Sequence, residues 1–340
     1  MSATTIPGMD GLKQSLYATT ISELIKDAEA NPAVPIVDKV LNRGDRLLIH
    51  GYEETYKSSL ALELSRCIAT GEPFLGELNV AAPVTTGVIE TEMRNPGLGE
   101  RLKRMFPDPE KVKNLPFLGP QGIDAVIRAA KAKDRIAIVR QMLTETGCQV
   151  ALVDVATDLF GSDLDPDGEK DVDTFFEEFR KCKEVDTLIL IRHDSKPKEG
   201  YDGTTNNRIR GSSRWKELPE TILYLKKQPN SAIVDVEVGK LRYGRKPKPF
   251  KIRFDQKAHT VVPANPILYL LQGRELSRAQ LINECKERYD LQESSTDKRI
   301  NAARPYLDER TEDREKLYKR KPGLHPEFIW RFTGENGEEG

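Results

Sequence analysis

A lysine followed by two hydroxyls, Lys57-Ser58-Ser59, stands at the head of an apolar-patterned stretch and shortly after Gly51. Those residue types at a helix start could build a phosphate and Mg²⁺ site. Backbone N–H groups and the helix N-terminus face the phosphates, the lysine adds positive charge, and the serine hydroxyl reaches the metal. The surrounding segment, RLLIHGYEETYKSSLALELSRCIA from Arg46 to Ala69, supplies the scaffold. Leu47, Leu48 and Ile49 read as a buried strand, and Leu60, Leu62, Leu64 and Ile68 as a helix. Between them, Gly51, Glu54, Thr55, Tyr56, Lys57, Ser58 and Ser59 are the candidate nucleotide-binding residues. One position departs from G-x-x-x-x-G-K-[ST]: Tyr56 stands where glycine is favoured, because the backbone there approaches phosphate closely or takes an unusual φ. Glu53 and Glu54 must point outward, or nucleotide binding is weak, since a carboxylate ~4 Å from a triphosphate would cost on the order of 1–4 kcal/mol. An ordinary strand–turn–helix with an exposed lysine would share this pattern, so the weight falls on what lies downstream.

The elements needed to position such a site recur along the chain. Gly87–Glu92, Gln149–Asp154 and Thr187–Ile191 read as strands, with helical spacing between them over 96–105, 123–131, 135–144 and 172–182. Three further strands, Thr221–Leu225, Ala232–Val238 and Phe250–Phe254, follow without intervening helices. This order predicts an α/β fold: a mostly parallel sheet with helices on both faces and antiparallel strands added at the end. In such sheets active groups collect at the C-terminal strand ends. Lys57, Glu92, Asp154 and His193 all fall there. Glu90 rivals Glu92, because residues two apart on a strand face the same side. Lys240 and Arg242 share a face by the same rule. After His193 comes a polar, basic loop, 195–210, with Lys196, Lys198, Arg208 and Arg210 and the aromatic Tyr201. A loop of that length is usually functional or disordered.

The 340 residues suit two domains, with a net charge of −1 that hides local basic stretches. The four cysteines are scattered, with no CxxC, which argues against zinc or a disulfide framework and for a reducing compartment. No secretory signal and no apolar run near ~18 residues are visible, so the expectation is a cytoplasmic protein without membrane spans. The domain reading is a lead-in over 1–39 with a helix at Ile21–Ala30, an α/β domain over 40–258, a linker over 259–266, a winged-helix-like domain over 267–333, and an acidic tail over 334–340. In the C-terminal part, helices are expected at 267–271, 277–289 and 298–307, with a hairpin pairing 318–322 and 328–332 around Gly323. A helical cap is the alternative there.

The order of motifs resembles the RecA-like ATPases of the hexameric replicative helicase group, in particular plasmid RepA-type helicases and AAA family ATPases of phages and mobile elements. GYEETYKSS, ETEM at Glu90–Met93, ALVD at Ala151–Asp154, LILIRH at Leu188–His193, RGSSRW at Arg210–Trp215 and GKLRYG at Gly239–Gly244 carry the resemblance, which covers about Ile21 to Phe254. It implies ATP and Mg²⁺ as cofactors. Lys57 would contact β and γ oxygens, Ser58 would ligate Mg²⁺, and Asp154 would orient the metal. Glu92 resembles the glutamate that polarises the attacking water, and His193 the polar sensor of the γ-phosphate. Lys240 and Arg242 resemble the finger one subunit inserts into its neighbour's site, which implies a homo-oligomer, expected as a hexameric ring. Lys196, Lys198, Arg208 and Arg210 would grip single-stranded DNA through its phosphates. The C-terminal domain, with Lys298, Arg299 and Arg304 on one helix, is open to duplex DNA or a protein partner. Two readings stand: a ring motor or helicase, and a DNA-binding ATPase without unwinding activity (loader, recombination mediator or regulatory switch).

Overall fold

The computed structural model describes residues 20–76, 78–93, 95–182, 185–193, 211–227, 231–242, 249–271, 274–289, 291–304, 307–312 and 315–321. The chain divides into two units, 1–34 and 35–340. The described part of the first is the helix α1 (Ile21–Ala30), started by a capping box in which Thr20 and Glu23 satisfy each other's backbone N–H groups. Within this unit Ile21, Leu24 and Ile25 lie exposed along one stripe.

The second unit opens with a small antiparallel pair, β1 (Pro35–Val37) and β2 (Leu41–Asn42). Then follow β3 (Arg46–Gly51), α2 (Lys57–Thr70), β4 (Thr86–Glu90), α3 (Asn95–Met105), α4 (Pro120–Arg128), α5 (Ala132–Glu145) and β5 (Val150–Asp154). After these come α6 (Glu169–Arg180), β6 (Thr187–His193), α7 (Arg214–Glu217), β7 (Thr221–Lys227), β8 (Ile233–Leu241), β9 (Phe250–Asp255) and β10 (Thr260–Pro263). The eight-stranded sheet runs β10-β9-β8-β7-β3-β6-β5-β4. The five strands from β7 to β4 are mutually parallel, and β8, β9 and β10 extend the sheet antiparallel. This is the mixed, mostly parallel sheet expected from the strand and helix order.

Both faces are covered, and alternation along β3 shows how. Leu47 and Ile49 enter a core with Leu60, Leu64 and Ile68 of α2, whereas Leu48 enters a second core with residues of α5 and α6. All three are fully buried. A strand buried on both sides reads as an unbroken apolar run, which is why RLLI is legible in the sequence.

Residues 260–263, expected within a linker, instead form β10, paired with β9 from Thr260↔Asp255 to Pro263↔Ile252. Val262 packs into the core of the C-terminal part, so chain passes from sheet to the next elements without a free spacer. Those elements are α8 (Ile267–Leu270), β11 (Glu275–Ser277), α9 (Arg278–Tyr289), α10 (Glu293–Ala303), β12 (Leu307–Glu312) and β13 (Glu315–Arg320), with a three-stranded sheet in the order β11-β13-β12. The hairpin differs from expectation: Tyr318 pairs with Glu309 of β12, and 328–332 lie outside the described residues. The third helix also starts earlier, at Glu293 rather than Lys298. Asp297 does not cap it but receives the Arg278 guanidinium, and Thr296 Oγ1 donates back to the Gln292 carbonyl. Two further contacts tie this part to the sheet: Arg288 lies 3.5 Å from the buried Asp255 carboxylate, and Arg253 donates to the Tyr289 carbonyl.

Candidate nucleotide site

Four parallel strands end side by side and deliver the site. In the order β3, β6, β5, β4 their C-terminal ends carry the phosphate loop, His193, Asp154 and Glu90. The loop after β3 folds onto one carbonyl: Tyr52 O accepts from Thr55 Oγ1 at 2.8 Å and from Lys57 Nζ at 2.6 Å. Lys57 is buried, while Glu53 and Glu54 point to solvent as the charge argument requires. Gly51 sits where its strand neighbour is close, since a Cβ there would stand 2.4 Å from the Leu225 carbonyl oxygen.

Tyr56 takes the conformation that glycine usually supplies, φ 63° and ψ 26°, and forms the entry to α2. For a bulky L-residue this left-handed turn costs roughly 1–2 kcal/mol. The side chain returns a similar amount. Its ring stacks on Phe254 of β9 with centroids 5.2 Å apart, and Lys227 Nζ lies 5.4 Å from its centroid. Such a stack contributes about 0.5–1.5 kcal/mol and an exposed cation–π contact about 0.5–1 kcal/mol.

Beside the loop lies an acidic pair. Asp154 is 3% exposed and Glu90 7% exposed, and they are neighbours across the β4–β5 ladder. Thr91 fastens the two strand ends, with its N–H donating to the Asp154 carbonyl and its hydroxyl accepting from the Val155 N–H. Burial raises both carboxyls, Glu90 to about 7 and Asp154 to about 6, and the charge of Asp154 adds to the rise at Glu90. A hydrogen bond with Ser58 works the other way on Asp154. Asp154 Oδ1 is buried with no hydrogen-bond partner. An orphaned carboxylate oxygen beside Ser58 fits a Mg²⁺ site. Among the described residues no cluster of three or more His, Cys, Asp or Glu could hold a metal alone. Mg²⁺ is bound through one or two carboxylates together with substrate phosphates, a donor set to which Asp154 and Ser58 would contribute.

Glu90 and Glu92 do not share a face as strand alternation would require. β4 ends at Glu90, and the Glu90 carboxylate accepts the N–H groups of Glu92 and Met93, both at 2.9 Å. Glu90 thus shapes the turn that lifts Glu92 to the rim. There Glu92 Oε1 accepts from His193 Nε2 at 2.9 Å, and this bond, with the Lys57 charge, holds Glu92 below the usual carboxylate range despite partial burial. Lys57, Ser58, Glu92, Asp154 and His193 are therefore one cluster.

Arg101 of α3 belongs to it as well, although no sequence motif carries it. It is buried, its guanidinium donates to Ser59 Oγ at 2.9 Å, and it is the counter-charge for Glu90 and Asp154. Nothing in GERLKRM distinguishes it from Lys103 and Arg104 except its place on the helix's inner face.

Lys240 and Arg242 lie elsewhere. β8 runs antiparallel to β7, so Lys240 pairs with Ile222 near the start of β7, at the sheet end opposite the phosphate loop. Lys240 Nζ donates to the Lys216 and Glu217 carbonyls, and Arg242 to Glu220 and the Glu217 carbonyl. Neither reaches the cluster of its own chain. Lys196, Lys198, Arg208, Arg210 and Tyr201 lie outside the described residues. The loop's described boundaries are pinned. Arg192 donates to Asp167 at 2.7 Å and lies over the Trp215 ring, whose Nε1 donates to the Pro166 carbonyl.

Comparison with known proteins agrees with this geometry. Residues 16–199, more than half of the chain, match the AAA domain family AAA_25. No curated protein matches significantly. Among solved structures, a DnaB-like replicative helicase studied with primase aligns with TM-score 0.50 at 13% identity, over 72% of this chain and 67% of its own. A KaiC-like protein from the archaeon Pyrococcus horikoshii aligns at 0.44 and 14% identity, over 68% of this chain and 96% of its own. The RadB recombinase aligns at 0.45 and 13% identity, over 71% and 96%. With a family match across the phosphate loop, the acidic strand ends and His193, the chain belongs to the AAA domain family and has a RecA-like P-loop ATPase fold.

Proposed function

We propose that the protein hydrolyses ATP and couples hydrolysis to movement on single-stranded DNA, as a ring-forming motor or helicase in the replication of a plasmid, phage or mobile element. The observation that carries this reading is the joining of Lys57, Ser58, Asp154, Glu92 and His193 at one sheet edge. Phosphoryl transfer to water needs positive charge on the phosphates, an anchored metal and a positioned water. Lys57 and the loop N–H groups hold the phosphates, and Ser58 and Asp154 hold Mg²⁺, which neutralises charge when bound. Glu92, kept ionised by His193, orients water. His193 lies where β6 leads into the basic loop, so a change in its bond to Glu92 is felt at the DNA-contacting segment.

Lys240 and Arg242, directed away from their own cluster, suit a finger that completes a neighbour's site, which makes the active form an oligomer. The C-terminal part, with its order of helices and a three-stranded sheet, suits a winged-helix-like module. Some of its described charges pair internally, with Arg278 on Glu293 and Asp297 and Arg304 on Glu309, and the module suits either a protein partner or duplex DNA.

Steady-state ATP hydrolysis with and without single-stranded DNA, run beside light scattering, tests the reading. DNA-stimulated turnover in a ring-sized assembly is expected, and Lys57→Ala should lower turnover by at least about 10²-fold. Turnover unchanged in Lys57→Ala would remove this loop as the site. The second reading, a DNA-binding ATPase that does not unwind, is favoured by the firm joining of the C-terminal part through Val262 and Asp255. Stimulated hydrolysis without strand displacement would select it.

A further inference from the structure

The phosphate loop of this chain departs from its pattern at one residue, and that residue is the one whose side chain leaves the loop to grip another part of the sheet. Tyr56 opens α2, its carbonyl accepts the Leu60 N–H at 2.8 Å, and its left-handed backbone sets the direction of the N–H groups of Lys57 and Ser58. Its ring lies against Phe254, on β9, and under the ammonium of Lys227, at the end of β7. Phe254 in turn meets the His259 ring edge-on at 5.2 Å, so the contact is backed by a second ring.

We propose that Tyr56 is a positioning residue for nucleotide binding: the aromatic grip of Phe254 and the Lys227 cation holds the loop in the left-handed turn that a glycine would reach unaided. This deepens the nucleotide-site reading and rests on it. The physical logic is preorganisation. A flexible glycine loop is ordered by the phosphates as they arrive, whereas a loop already ordered by side-chain packing spends less of its binding energy on ordering. The arrangement also attaches the loop to the antiparallel edge of the sheet, through a strand whose neighbouring residues Arg253 and Asp255 contact α9.

Titration of the full-length protein with a fluorescent ADP analogue and Mg²⁺, with KM and kcat for ATP and a thermal melt for each variant, separates the alternatives. Tyr56→Phe keeps the ring and should bind within about twofold of wild type. Tyr56→Leu keeps the backbone penalty and loses the stack, and should bind about tenfold more weakly, with the loss in KM rather than kcat. Tyr56→Gly takes the turn freely and should recover to within about threefold. Phe254→Leu should weaken binding by about three- to fivefold in the wild-type background and hardly at all in Tyr56→Gly, the signature of coupled residues. A glycine variant as weak as the leucine variant overturns the proposal, because the ring would then be acting on the ligand or on the fold. So does a Phe254→Leu effect of equal size in both backgrounds. If wild-type protein binds no nucleotide and Lys57→Ala changes nothing, the site reading itself fails. Binding that depends on Lys57 but ignores Tyr56 and Phe254 sinks only the positioning role.

Discussion

Asp154 and Glu90 are two buried carboxyls side by side, with one guanidinium, Arg101, between them in charge terms. Both keep a proton to higher pH in the folded chain than in the unfolded one. Sites with that property destabilise the fold when ionised: their contribution is fully present below the unfolded values, falls as pH rises from there, and is lost once pH has passed the folded values of about 6 and about 7. In chelator-treated protein, Asp154→Asn should therefore raise the melting temperature at pH 8 more than at pH 4, by an amount equivalent to about 1–3 kcal/mol. Equal melting of the two proteins at both pH values would contradict the buried-charge account. At this scale the sequence was legible where residue type alone decides. Lys57, Ser58 and Asp154 announce themselves by order, and the outward turn of Glu53 and Glu54 follows from repulsion. Arg101 and the division of labour between Glu90 and Glu92 were not legible, because they depend on where β4 stops.

Among elements, the segment after β5, α6 and α7 form one block around Trp215, which is fully buried against Phe160, Phe175 and Phe176. The block fixes the residues on both sides of the basic loop, through Arg192–Asp167 before it and Ser213–Glu169 and Arg214–Asp173 after it. Trp215→Ala should cost about 3–5 kcal/mol of unfolding free energy, read from urea midpoints, and Trp215→Phe much less. A loss under 1 kcal/mol in the alanine variant would show that the block repacks. RGSSRW is legible as a motif, yet the tryptophan's packing role is not, since its partners come from 160 to 179. Strands buried on both faces were easy to place because their apolar runs are unbroken. β10 and the β12–β13 hairpin were not: Thr260–Pro263 is short and follows a turn, and the charged hairpin strands show no clear alternation.

At the scale of the whole molecule, the position of Lys240 and Arg242 at the far end of β7 and β8 makes a trans arrangement testable. Arg242→Ala and Glu92→Gln should each lose turnover, by about 10³-fold or more if the finger acts on the γ-phosphate. Mixing the two inactive proteins should restore part of it, because some interfaces then receive one intact copy of each residue. No recovery at any ratio, with assembly intact by light scattering, would exclude a shared site.

The strand order has a consequence for how the protein is made. β3, which carries the phosphate loop, bonds only to β6 and β7, whose residues begin at Thr187 and Thr221. As the chain leaves the ribosome, β4 and β5 can pair with each other well before either neighbour of β3 exists. The strand at the centre of the finished sheet is thus the one that waits, apolar on both sides, through more than a hundred residues of synthesis. Its sequestration during that interval falls to α2 and to whatever binds nascent chains, since no sheet can yet close over it.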